Sequence, residues 1–147
     1  GYKRALLKNG VAFDPDLVMS TDRAEEMGDA AAYKATQVLL SQASRPDGIF
    51  CYNDIAAYGA ITAILDAGLR VPDDVSVIGC GNLLYNKFIR VPLTSVDQQT
   101  AVIGQRAAKL ALQIIESDQS IVPKPIYVEP RLVARASTRK LSSSAKP

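Results

Sequence analysis

Residues 45–79 read RPDGIFCYNDIAAYGAITAILDAGLRVPDDVSVIG, and their rhythm decides the fold class. Arg45-Pro46-Asp47-Gly48 breaks any preceding helix, and Ile49-Phe50-Cys51-Tyr52 is a short apolar run without alternation, the pattern of a strand covered on both faces. Asn53-Asp54 then opens a helix that runs to about Ala67 and stops at Gly68. Val71-Pro72-Asp73-Asp74 turns the chain into Val75-Ser76-Val77-Ile78, a second strand of the same buried type. Strand, helix and strand in this order predict an α/β fold, built from right-handed βαβ units with a parallel sheet flanked by helices.

The flanking sequence extends the pattern in both directions. Upstream, residues 2–9 form a short helix stopped by Gly10, and Asp14-Pro15-Asp16 is a turn. Leu17-Val18-Met19 reads as a short buried strand, Ser20-Thr21-Asp22-Arg23 as the loop after it, and Ala24–Ala43 as a long amphipathic helix striped by Met27, Ala31, Ala35, Val38 and Leu39. Downstream, an irregular stretch runs to Pro92 and is followed by a strand at Leu93–Val96. A helix from about Thr100 to Glu116 comes next, its stripe made of Ile103, Ala107, Leu110, Ala111 and Ile114. Val122–Pro125 is a loop, Ile126–Glu129 and Leu132–Ala134 are strand-like, and residues 140–147 have the composition of a disordered end.

Composition excludes several kinds of chemistry. The 147 residues are 48% hydrophobic and 22% charged, a globular composition. The chain has no histidine, which removes Ser-His-Asp triads, Cys-His dyads and imidazole-bound zinc. Net charge is +2, but residues 131–147 carry Arg131, Arg135, Arg139, Lys140 and Lys146 with no acid, so a body of −3 bears a tail of +5. That body is not the footprint of a nucleic-acid surface. Cys51 and Cys80 stand far apart without CxxC spacing and read as reduced, buried thiols. No apolar run reaches the roughly 20 residues of a bilayer span.

In open α/β sheets, ligands bind beyond the carboxyl ends of the strands. Those ends are Ser20-Thr21-Asp22-Arg23, Asn53-Asp54, Gly79-Cys80-Gly81-Asn82 and Asp97-Gln98, all short polar groups or exposed backbone suited to a small polar molecule. Each has a plainer reading. Asn53 or Asp54 could cap the helix that follows, Asp22 could cap the helix near Ala24, and Gly79-Cys80-Gly81 lacks GxGxxG and any Walker lysine, so a tight turn accounts for it. No catalytic constellation emerges, and no metal ligand set or cofactor is expected. The helix at Ile55–Ala67 has Thr62 and Asp66 as its only strongly polar side chains, so it must be covered on more than one side, by a deep core or by a partner. The apolar Leu83-Leu84-Tyr85 and Phe88-Ile89 in the irregular stretch favour a partner.

Four blocks, in order and at matching spacing, closely resemble the effector-binding core of LacI/GalR-family transcriptional regulators. They are Pro46–Asp54, Ala57-Tyr58-Gly59-Ala60, Gly68–Gly79 and Pro92–Gln98, and the resemblance extends over about residues 1–138. It implies a fold like the type I periplasmic binding proteins: two lobes, with a small effector in the cleft, a homodimer, and DNA bound only through an N-terminal domain. On that comparison residues 1–96 belong mostly to the second lobe, 97–125 to the first, and 126–136 return to the second as a strand, with 139–147 as a tail. The chain would then begin inside the second lobe, without that lobe's first strand, which leaves a sheet edge open.

Carried over by position, the ligand residues are Asn53, Asp54, Asp22, Arg23, Gly81, Asn82 and Gln98, and the dimer surface comprises Ile55, Tyr58, Ile61, Leu65, Phe88 and Ile89. Two departures matter. Gly81-Asn82 stands where the family commonly has Asp-Asp, which removes a carboxylate for sugar hydroxyls, and Arg23 stands where the family has an aromatic platform. An arginine pairs with anions. The expected effector is therefore a sugar or an acidic or phosphorylated relative, sensed by a cytoplasmic, non-enzymatic regulator with no membrane contact. The alternative is a periplasmic sugar-binding protein of an ABC-type transporter.

Overall fold

The structure, a computed structural model, describes residues 1–20, 28–117 and 124–139. Helix α1 spans Tyr2–Lys8, with Gly10 at φ +70° two residues beyond it. Helix α2 covers Asp29–Ser41; the expected start near Ala24 lies outside the described residues. Strand β1 is Gly48–Phe50, α3 is Asp54–Asp66 and β2 is Ser76–Cys80. Strand β3 is Thr94–Asp97, α4 is Thr100–Glu116 and β4 is Arg131–Val133.

The four strands form one sheet in the order β1-β2-β3-β4. β1, β2 and β3 run parallel, pairing Ile49 with Val77 and Gly79 with Ser95. β4 is antiparallel to β3, with Asp97 opposite Arg131, so the sheet is mixed where the βαβ pattern alone implies parallel strands. The chain leaves the sheet after β3 and comes back beside it, which reverses the direction of the returning strand.

The core lies between α3 and the sheet. Ala56, Ala57, Ala60 and Ile64 pack with Val75, Val77 and Leu93, all of them buried. Small side chains on α3 permit close approach on two sides: a Cβ at Gly59 would stand 1.9 Å from the Asp29 carbonyl oxygen, so α2 begins directly against α3. Gly68, at φ +75°, ends α3 in the left-handed conformation glycine adopts without strain.

Some short elements depart from expectation. Leu17–Met19 is not a strand: Asp14 accepts a hydrogen bond from the Asp16 amide (2.9 Å) and starts a 3-10 turn over Pro15–Leu17, after which the backbone is extended without a sheet partner among the described residues. Ile126–Glu129 forms no strand either; Ile126 and Tyr127 are exposed, and the segment has no sheet partner among the described residues. The 79–92 stretch contains a 3-10 turn at Leu84–Lys87. The proposed disordered end at 140–147 lies outside the described residues.

Two surfaces have no cover among the described residues. No residue of α4 is buried, although its stripe is apolar. The outer edge of β1 borders an apolar cavity of about 740 Å³, lined by Met19, by Phe50 and Cys51, and by Ala32, Thr36 and Leu39 of α2.

Candidate functional site

The candidate site is the rim formed by the carboxyl ends of β1, β2 and β3, where Tyr52-Asn53, Gly81-Asn82 and Asp97-Gln98 come together. Parallel strands aim these three ends in one direction. Asn53 is the N-cap of α3: its Oδ1 accepts from the Ala56 amide (2.8 Å), which leaves the side-chain NH2 as a donor with no partner among the described residues. Both readings of this residue thus have an atom available to them.

Asp54 does different work. It is 1% exposed, and both carboxylate oxygens are engaged. Oδ1 accepts from the Ser95 hydroxyl (2.6 Å), and Oδ2 accepts from the Leu83 amide (2.8 Å) and from Asn86 Nδ2 (2.9 Å). A carboxylate that accepts three bonds stays in place without a cation. Asp54 therefore supports the rim from below and does not line it. No Cβ fits at Gly79, because it would stand 2.3 Å from Asp54 Oδ1.

The β2–β3 side of the rim is held by Asn82. Its backbone lies at φ +53°, a left-handed conformation uncommon outside glycine. The Asn82 amide donates to Ser95 Oγ (3.0 Å), its Nδ2 donates to Asp97 Oδ2 (3.3 Å), and its Oδ1 accepts from Arg135 Nη2 (2.7 Å). Arg135 also donates to the Leu93 carbonyl (2.7 Å), and Asp97 Oδ1 accepts from the Gln99 amide (2.7 Å). Gly81, at φ +125°, contributes backbone only. Gln98 is exposed and donates to Cys80 Sγ (3.2 Å). Asp22 and Arg23 lie outside the described residues.

Asn86, Ser95 and Arg135 escaped the sequence reading. Asn86 is fully buried in an irregular stretch, where no periodicity marks it. The one available signal was Thr94-Ser95, two hydroxyl residues inside an apolar strand, since buried hydroxyls require partners. The thiol of Cys51 is pushed up to about 12 by burial, with Asp54 nearby adding to the effect, which disfavours the reactive thiolate. Among the described residues no group of His, Cys, Asp or Glu could hold a metal, and no helix is long and apolar enough to cross a membrane.

The surface expected to meet a second copy is the outward stripe of α3 and the turn beside it. Ile55 and Phe88 are exposed, and Tyr58, Leu65 and Ile89 are half-buried. Ile61 is instead 5% exposed and belongs to the core. A groove of about 250 Å³ runs between Tyr58, Thr62 and Leu65 on one side and Ile89 and Val91 on the other.

Residues 1–138 match the family model described as periplasmic binding protein-like domain. Among curated relatives, an HTH-type transcriptional repressor PurR of Pasteurella multocida is 36% identical over 139 residues, covering 95% of this chain and 40% of that protein. The protein of the same name from Histophilus somni is 36% identical over 141 residues, covering 96% and 41%. The chain thus spans about 40% of the length of the curated relatives it matches. Among solved structures, a transcriptional regulator CelR–cellobiose complex superposes with TM-score 0.82 at 29% identity, over 92% of this chain and 40% of that one. A LacI-type transcription regulator from Bifidobacterium animalis subsp. lactis gives TM-score 0.82 at 29% identity, over 95% and 48%. These relatives are transcriptional regulators, not enzymes.

Proposed function

Since this chain belongs to the periplasmic binding protein-like domain family, we propose that it is the effector-binding and dimerising portion of a LacI-type transcriptional regulator acting in the cytoplasm. The observation that carries this reading is the rim: three parallel strand ends present Asn53 Nδ2, the Gly81 backbone and Gln98 above a support of buried hydrogen bonds. Such a rim binds a small polar molecule through a few fixed donors and acceptors, without changing it chemically.

In this reading residues 1–96 with 126–136 make one lobe, and α4 belongs to the other, where its apolar stripe finds cover. The α3 stripe and the Phe88 turn pair two copies, while DNA is contacted by a separate N-terminal domain. The effector acts by binding one lobe arrangement better than the other, and the change in DNA affinity equals that difference.

The effector class follows from the two departures from the family pattern, at Gly81-Asn82 and at Arg23. Gly81 supplies no carboxylate for sugar hydroxyls, and Arg23 offers a charge in place of a stacking face, so an acidic or phosphorylated sugar fits better than a neutral one. Calorimetry of the full-length protein with glucose 6-phosphate, glucuronate, cellobiose and sucrose tests this. The expected result is preference for an anionic ligand, lost in Arg23→Ala. Tight binding of a neutral sugar that is indifferent to Arg23→Ala overturns it.

A further inference from the structure

The rim and the outer face of α3 are joined by an unbroken run of hydrogen bonds through the interior. It starts at Asp97, passes to Asn82 (3.3 Å), and continues from the Asn82 amide to Ser95 Oγ (3.0 Å) and from Ser95 to Asp54 (2.6 Å). From Asp54 it goes to Asn86 Nδ2 (2.9 Å), and Asn86 Oδ1 accepts from the Tyr58 hydroxyl (2.6 Å). Asp54 and Ser95 are essentially without solvent contact, as is Asn86. None of these groups can exchange a protein partner for water, so losing one bond obliges the next group to find another.

Asn86 sits where the run divides. One amide group serves both directions, its NH2 holding Asp54 and its oxygen holding Tyr58, while its main-chain carbonyl accepts from the amide of Leu93, the residue before β3 (2.8 Å). It also lies inside the 3-10 turn Leu84–Lys87, which carries the exposed Leu84 and Tyr85 and leads into Phe88. Turning the Asn86 amide would break bonds towards the rim and towards α3 together. At the other end, Asp97 ties the rim to the point where the chain departs for α4, because its Oδ1 accepts from Gln99, a residue in the left-handed conformation at φ +54°.

We propose that Asn86 is a positioning residue through which a change at the cleft rim reaches the outer face of α3 and the adjoining apolar turn. The inference rests on the proposed reading of the rim as an effector site and of α3 as a pairing surface. A ligand that draws Asn82 towards itself, directly or through Asp97, takes the Asn82 amide bond from Ser95, and the deficit passes through Asp54 to Asn86. The turn that carries Tyr85 and Phe88 then shifts against Tyr58. Coupling of this kind has to be measured as an interaction between sites, since intermediate position alone does not establish it.

The test is amide hydrogen exchange and side-chain amide NMR of the full-length protein, unliganded, with Asn82→Ala as the change at the rim and Tyr58→Phe as the change at α3. Asn82→Ala deletes the bonds to Asp97 and Arg135 that hold the Asn82 backbone and its amide against Ser95. Tyr58→Phe removes a single oxygen and leaves the packing intact; Tyr33→Phe, which deletes a bond to Asp66 outside the run, is the control. Asn82→Ala is expected to shift the Asn86 side-chain amide resonance and to speed exchange at Leu93 by about fivefold or more. Tyr58→Phe is expected to do the same from the opposite end, and the double variant to show less than the product of the two effects. If Asn82→Ala leaves Asn86 and Leu93 at their parent values, or if the two effects multiply, the proposal is overturned. Sedimentation of the same variants reports pairing separately: a protein that stays monomeric removes the dimer reading, and the exchange result still decides the role of Asn86.

Discussion

Gly79 leaves the space that Asp54 occupies: a Cβ at residue 79 would stand 2.3 Å from Asp54 Oδ1 and 3.0 Å from Leu93 Cδ2. The second strand of the sheet and the first residue of α3 therefore meet with no room for a side chain. Gly79→Ala is expected to destabilise the protein by about 3 kcal/mol, the scale of overpacking in a closed core. Gly59→Ala, which drives a methyl into the Asp29 carbonyl, should cost at least as much. Gly48→Ala, whose Cβ would have its nearest neighbour at 4.0 Å, is the control and should be close to neutral in urea denaturation.

Asp54→Ala deprives the Ser95 hydroxyl, the Leu83 amide and the Asn86 amide of their acceptor at once. A loss of about 3 kcal/mol or more is expected in chemical denaturation, because each buried donor then carries its own desolvation cost. Ser95→Ala removes only one of these donors and should cost less.

Asn53 separates stability from binding. Asn53→Asp keeps an oxygen for the Ala56 amide and deletes the NH2, so thermal stability should hold while effector affinity falls. Asn53→Ala should lose about 1 kcal/mol of helix capping as well. Denaturation and calorimetry on the same two variants distinguish the roles, and unchanged affinity in Asn53→Asp removes Asn53 from the ligand set.

Cys51 sets a condition at alkaline pH. Its thiol has a folded value of about 12 against an ordinary 9.0, raised first by burial and then by Asp54. The unfolded chain gives up this proton first, so the contribution to stability is complete below pH 9 and is lost as pH rises towards 12. The alkaline fall in stability should be shallower in Cys51→Ala than in the parent. In native protein at pH 8, iodoacetamide should label the partly exposed Cys80 and spare Cys51.

Pairing through α3 predicts that Ile55→Glu and Phe88→Glu, both at exposed positions, yield folded monomers by sedimentation. Ile61→Glu should unfold the chain instead, because Ile61 is part of the core. A parent dimer that persists in both surface variants assigns the contact elsewhere.

How far these features could be read from sequence varied with their physics. α3 and α4 emerged within a residue or so of their expected ends because a strong cap, a glycine stop or a long apolar stripe marks them locally. β2 and β3 were found slightly early, since an apolar run states that a strand exists but not where its pairing stops. Leu17–Met19 and Ile126–Glu129 have strand-like composition, yet a strand needs a neighbour, and none pairs with them among the described residues. The same limit held at the site. Asn53 and Asp54 were legible as cap or contact, but their division of labour depends on Ser95 and Asn86, more than thirty residues away, and only folding brings those together.

Asp97 and Arg131 face one another across the last strand pair. The whole stretch between them therefore departs and returns through doors one strand spacing apart, about 4.8 Å. A tight turn joining these two residues would convert β3 and β4 into an ordinary hairpin and leave the sheet as it stands. The topology is thus indifferent to what the excursion contains: evolution can lengthen, replace or retune that cassette without rewiring the half of the molecule that holds Asp54.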